Sequence, residues 1–151
     1  MSRVSPGSEL DDHLEPQRSL RARFDDFRQA LERRDRAAYQ LALRDFQGAL
    51  RRWTETEERV LLSALARTAI PGRDPQRELR LQYVQVRELT RYLLEQVSGN
   101  APIADVLGLV ENLDRRLAAH EAEMERVYYP AALSVITDAE RRALSDGAPD
   151  A

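Results

Sequence analysis

At 151 residues, 42% hydrophobic and 32% charged, the chain suits one domain with a substantial core and is too apolar to be wholly disordered. It has no cysteine, which excludes disulfide frameworks, thiolate metal sites and cysteine nucleophiles. The net charge of -3 includes 23 basic residues that are all arginine, so Schiff-base lysines and a P-loop lysine are excluded too.

The N-terminus, MSRVSPGSELDDH, lacks periodic apolar spacing and the apolar core of a signal peptide. Residues 1–15 are expected to be a disordered tail in which His13 is solvated, residues 16–146 the folded domain, and residues 147–151 a second tail. No run approaches the roughly 18 apolar residues of a membrane span, and a cytoplasmic protein without membrane partners is expected. Arginines interleaved with acids, as in Arg21, Arg23, Asp25, Asp26 and Arg28, predict solvated helix faces and no nucleic-acid partner.

Pro16 suits the first turn of helix 1, whose buried stripe is Leu20, Phe24, Phe27 and Leu31. Asp35 can cap helix 2, predicted over 36–68, with the seam Tyr39, Leu43, Phe46, Leu50, Trp53, Val60 and Ala64. One step of that seam is polar: Glu57. Pro71 and Gly72 end the helix, and Asp74 with Pro75 starts helix 3, striped by Leu79, Tyr83, Val86, Thr90, Leu93 and Val97. Pro102 opens helix 4, whose seam Val106, Val110, Leu113, Leu117, Met124, Val127 and Ala131 is interrupted by His120. Thr137 and Glu140 form a capping box before a last short helix carrying Leu144. Four long amphipathic segments with short connections and no strand signal predict an all-α, up-down-up-down four-helix bundle with a short C-terminal helix.

The helix pairs look like copies of one αα-hairpin. Setting RRWTETEERVLLSAL against AAHEAEMERVYYPAA matches Glu58-Arg59-Val60 to Glu125-Arg126-Val127, and His120 and Met124 each lie 67 residues after Trp53 and Glu57. Phe24, Phe27 and Leu31 correspond to Tyr83, Val86 and Thr90 at an offset of 59.

On helices 2 and 4 these motifs follow one frame: Glu57, Glu58, Val60 and Leu61 on one, His120, Glu125, Tyr128, Tyr129 and Pro130 on the other. Helix 3 reads Glu78-Leu79-Arg80-Leu81-Gln82-Tyr83-Val84-Gln85-Val86-Arg87. Over residues 17–136 the pattern resembles the hemerythrin-like, or HHE cation-binding, domain. That resemblance implies a bundle holding a di-iron centre with histidines and carboxylates from all four helices.

By that resemblance most ligands are replaced: Phe24, Trp53 and Tyr83 stand where the family has histidine, and Met124 where helix 4 should give a carboxylate. Glu57 and His120 remain as a vestigial metal pair. Each replacement is bulky, so the former metal space is expected to be packed, with Glu57 bonded to His120 and joined by the Tyr83 hydroxyl. The function expected is a non-catalytic binding, sensory or regulatory module with no cofactor, acting on an unidentified protein or a second copy of itself. Tyr92, Leu94 and Tyr128 are candidate interface residues. The alternative is a metal or haem binder using His120 as cofactor ligand with Glu57, Tyr83 or Met124. An enzyme is disfavoured, because Glu57 with His120 is the only plausible acid-base pair.

Overall fold

The computed structural model describes residues 6–146, with side chains from Leu14 onward, and among these the chain is helical without strands. Helix α1 is Pro6–Glu32. Helix α2 is one rod made of Arg36–Thr56, a π-helical turn Glu57–Leu61 and a last α-turn Leu62–Leu65. Helix α3 is Pro75–Ser98. Helix α4 joins Ile103–Glu123, a second π-turn Met124–Tyr128, and Tyr129–Leu133, and helix α5 is Asp138–Asp146.

The local signals act as expected at most ends. The Asp35 carboxylate accepts the Ala38 N–H at 3.1 Å, and Asp74 accepts that of Arg77 at 3.3 Å ahead of Pro75 at N1. Between α2 and α3, Gly72 takes φ +72°, a left-handed conformation that costs glycine nothing. The capping box forms reciprocally, Thr137 N–H to Glu140 Oε1 at 3.0 Å and Glu140 N–H to Thr137 Oγ1 at 3.1 Å.

Helix α1 starts earlier than Pro16. It begins at Pro6 and carries Pro16 within it, so the expected tail over residues 1–15 is helical from residue 6 on. An internal proline removes one ladder bond and costs about 3 kcal/mol. Leu14 offsets this by burying its side chain at the spacing that continues through Gln17 to Leu20, all three being buried. The expected tails at residues 1–5 and 147–151, and the His13 side chain, lie outside the described residues.

Helix α1 packs along α2, α2 against α3, α3 against α4, and the end of α4 returns to α1, closing a four-helix bundle. The core falls into two apolar clusters. One holds Leu20, Phe24, Phe27, Phe46, Trp53, Val86 and Leu117 among others; the second holds Leu14, Val60, Leu61, Leu79, Tyr83, Met124, Tyr128 and Tyr129. Along each helix the change from one cluster to the other passes one level, occupied by Gln17 on α1, Glu57 on α2, the Tyr83 to Val86 step on α3 and His120 on α4. Helix α5 lies across the π-turn of α2 and against α1, closing this level from outside.

A polar layer at the centre of the bundle

Each polar residue of that layer is delivered by a helix whose neighbouring turns are apolar. Trp53 precedes Glu57 by four residues and Val60 follows it by three; Leu117 precedes His120 by three and Met124 follows it by four. Glu57 is fully buried and His120 is 6% exposed, so any polar atom here must find its partner inside the protein.

Glu57 finds two. The Tyr83 hydroxyl donates to Oε1 at 2.9 Å and the Tyr129 hydroxyl to Oε2 at 2.7 Å, so both carboxylate oxygens accept a phenolic proton. Burial, reinforced by the negative charge of Glu57, pushes both phenols well above the ordinary tyrosine value, so both keep their protons and remain donors. The expected Tyr83 contact is present. Tyr129 joins it unexpectedly, because its spacing on a regular helix does not single it out.

The expected hydrogen bond between Glu57 and His120 is not formed. His120 Nε2 stands 3.7 Å from Glu57 Oε1, beyond hydrogen-bonding distance, and has no hydrogen-bond partner. The other ring nitrogen, Nδ1, lies 2.6 Å from Gln82 Oε1. Gln82 Nε2 in turn donates to Glu123 Oε2 at 3.2 Å, and Glu123 pairs with Arg73 at 3.5 Å. A carboxylate only accepts, so the Gln82 amide must turn its NH2 to Glu123 and its oxygen to His120. Nδ1 therefore carries a hydrogen, and Nε2 faces Glu57.

Trp53 meets the His120 ring edge-on, with centroids 5.7 Å apart and planes at 90°, and Tyr83 meets it at 5.6 Å and 67°. Met124 is fully buried in the neighbouring cluster. Phe24 does not reach this layer. It packs on Phe46 at 5.3 Å and Phe27 at 6.2 Å in the other cluster, while Gln17, seven residues earlier, lines a cavity with Trp53, Leu117 and His120. The resemblance-based placement is thus two helical turns too far along α1. With Gln17 in that place, Tyr83 follows it by 66 residues, close to the 67 that relates α2 to α4.

The π-turns obey the same repeat. Glu57–Leu61 and Met124–Tyr128 begin at equivalent positions 67 residues apart, each opening on a residue buried beside the polar layer. A π-turn re-aims the side chains after it, and such turns concentrate at functional sites. Beyond the second one, Tyr129 points its hydroxyl to Glu57, while Tyr128 is buried, contrary to its expected exposure, and donates to Glu78. Burial and the Glu78 carboxylate push the Tyr128 phenol up to about 12.

Two cavities of about 10 Å³ flank the layer, each with room for one water. One is bounded by Pro16, Trp53, Glu57, Tyr129 and Leu144; the other is the Gln17 and His120 cavity. Gln17 Oε1, like His120 Nε2, is buried without a hydrogen-bond partner.

The architecture is that of a bundle made of two related αα-hairpins meeting around a central polar layer, an arrangement that houses metal centres. The model of the hemerythrin HHE cation binding domain matches residues 11–132, and the chain belongs to that family. No curated protein and no solved structure matches it. A bridged pair of irons needs more histidines and carboxylates than the layer offers. Among the described residues no group of three or more His, Cys, Asp or Glu is placed to hold a metal; Glu57 and His120 are a pair, 3.7 Å apart. The family's di-iron centre therefore does not fit these residues. No helix among the described residues is long and apolar enough to cross a membrane.

Proposed function

We propose that the chain is a non-catalytic hemerythrin-type binding or regulatory module in which a hydrogen-bonded polar layer stands in place of the di-iron centre. The observation that carries this reading is the saturation of Glu57: each of its oxygens takes a phenolic proton, from Tyr83 and Tyr129. A carboxylate so engaged no longer bridges two metals, and Trp53 fills space beside His120 where an imidazole would reach one. Elemental analysis of natively purified protein tests the proposal. Fewer than two irons per chain and no absorption from a bridged iron pair are expected; two irons per chain overturn it.

The absence of catalysis rests on the same logic. Among the described residues His120 and Glu57 form the one acid-base pair of the buried core, and the cavities of about 10 Å³ beside them are too small for a substrate. The partner class is an unidentified protein or a second copy of the chain. Exposed apolar side chains such as Tyr92, 47% exposed, are where contact would form, with Leu94 half-buried beside it in sequence.

A second reading has one observation in its favour. His120 Nε2 is buried, lacks a hydrogen-bond partner and is oriented through its other nitrogen, as a metal ligand would be. A haem at His120 demands far more space than the two cavities provide, so a single ion is the form of that reading the geometry favours. A Soret band lost in His120→Ala would restore haem.

A further inference from the structure

On the outside of the bundle, α2 and α3 enclose a groove of about 370 Å³, many times the volume of either cavity at the polar layer and large enough to receive a small molecule. Its walls are cationic. Arg44 and Arg51 from α2 and Arg87 and Arg91 from α3 line it together with a single acid, Glu88. The chain as a whole has 26 acids to 23 arginines, so the excess of positive charge is local to this groove.

The four arginines differ in what holds them. Arg87 is half-buried and donates to Glu58 at 2.8 Å, and Arg91 donates to Glu88 at 2.6 Å and to Glu95 at 2.9 Å, so the α3 wall is tied down and largely neutralised. Each guanidinium carries five N–H donors, and these contacts leave part of both forks unused. The α2 wall is different. Among the described residues Arg44 and Arg51 make no ion pair and no hydrogen bond. They stand seven residues apart, two helical turns, and so project from one stripe of α2 with Gly48 between them.

Gly48 keeps that stripe open. Glycine is among the poorest helix formers, and nothing in the packing of α2 requires one here: a Cβ built at Gly48 would touch only the end of the Arg52 side chain, at the ordinary contact distance of 3.4 Å. A larger side chain would instead take up the space between Arg44 and Arg51. The buried Leu50 adds apolar surface to the same groove.

We propose that this groove binds a small phosphorylated molecule, with the phosphate held by Arg44 and Arg51, the spare donors of Arg87 and Arg91 facing it, and the uncharged body lying on Gly48 and Leu50. Charge and donor number favour phosphate over carboxylate. A phosphate monoester brings close to two negative charges and three acceptor oxygens, which two unpaired guanidiniums match in charge and in fork geometry, whereas a carboxylate satisfies one. The proposal goes beyond the reading of the polar layer and uses none of its residues.

The test is a titration of the full chain, labelled with nitrogen-15 and followed by NMR, with phenyl phosphate, benzoate and inorganic phosphate as probes at neutral pH and about 0.15 M salt, where attraction to exposed charge is screened. Phenyl phosphate should saturate one site, shift the signals of residues 44–51 and 87–91, and bind more tightly than inorganic phosphate, which lacks a body for the Leu50 surface, and than benzoate. Arg44→Gln and Arg51→Gln should each weaken it about tenfold. Gly48→Leu, which fills the groove with a better helix former and leaves every charge in place, should weaken it by a similar factor, while Arg33→Gln, outside the groove, should not. No saturable binding of phenyl phosphate, or benzoate bound as tightly, overturns the proposal. So does binding that Gly48→Leu leaves intact or that Arg33→Gln weakens as much as the groove variants, since surface charge alone would then explain it. Any of these failures leaves the proposed function standing, because iron content decides that reading separately.

Discussion

Tyr129 illustrates how one side chain can decide the state of a buried carboxylate. Its hydroxyl is one of two that satisfy Glu57, and removing it leaves one oxygen of a fully buried carboxylate without its donor. Tyr129→Phe should therefore destabilise the fold by about 1–3 kcal/mol, measured by urea denaturation, and Tyr83→Phe by a similar amount. The double variant should cost less than the sum, because the second deletion acts on a carboxylate already freed to rearrange. Additive losses would show that the two phenols act on Glu57 independently. The nearness of Trp53 and Tyr83 to His120 was legible in the sequence, Trp53 from its 67-residue offset to His120 and Tyr83 from its place in the apolar stripe of α3. On α1 it was not. Phe24 and Gln17 are seven residues apart, and a shift by one heptad leaves the apolar spacing unchanged, so only the packing of Phe24 on Phe46 and of Gln17 beside His120 tells them apart.

At the scale of elements, the helix ends after α1 begins follow their sequence signals, whereas the start of α1 and the π-turns in the helix interiors do not. Asp35, Asp74 and the Thr137 to Glu140 box act where their residue types predict, since capping involves groups only a few residues apart. Asp35→Ala should cost about 1 kcal/mol in thermal or chemical unfolding. Glu140 also joins α5 to Arg67 at the end of α2, and these bonds, with the Thr137 N–H, hold its carboxyl at about 2 against an ordinary 4.5. A carboxyl lowered on folding adds stability above its unfolded value and loses it as pH falls through the folded one. The gap in melting temperature between wild type and Glu140→Gln should thus persist at neutral pH, narrow below about 4.5 and close near 2. The solvent exposure of Arg67 keeps that gap small. The π-turns left no such mark. ETEERV and EMERVY read as ordinary helix, and the extra residue per turn appears only where Glu57 and Met124 must be seated between packed neighbours.

Over the whole molecule, the bundle is two apolar clusters held apart by a polar layer and closed by α5. Leu144 is the buried anchor of that closing helix and lines the cavity beside Glu57. Leu144→Ala should destabilise by about 2–3 kcal/mol and increase hydrogen exchange at α5 and the α2 π-turn before the rest of the bundle. Uniform exchange across all helices would show that α5 does not open separately. Ion pairs from α1 to α4, such as Arg21 with Asp114 and Glu121, lie at the rim and add specificity more than stability.

The sequence alone determined the all-α bundle, four helix starts or stops, and the identity of two polar residues in otherwise apolar seams. These are properties of spacing and of neighbours along one chain, which periodicity and capping chemistry express directly. Tertiary structure alone decided that α1 continues through Pro16, that Gln17 rather than Phe24 meets His120, and that Tyr129 shares Glu57 with Tyr83. Those outcomes depend on which helical turns face each other across the core and on how a π-turn rotates the side chains beyond it, and heptad spacing is blind to both.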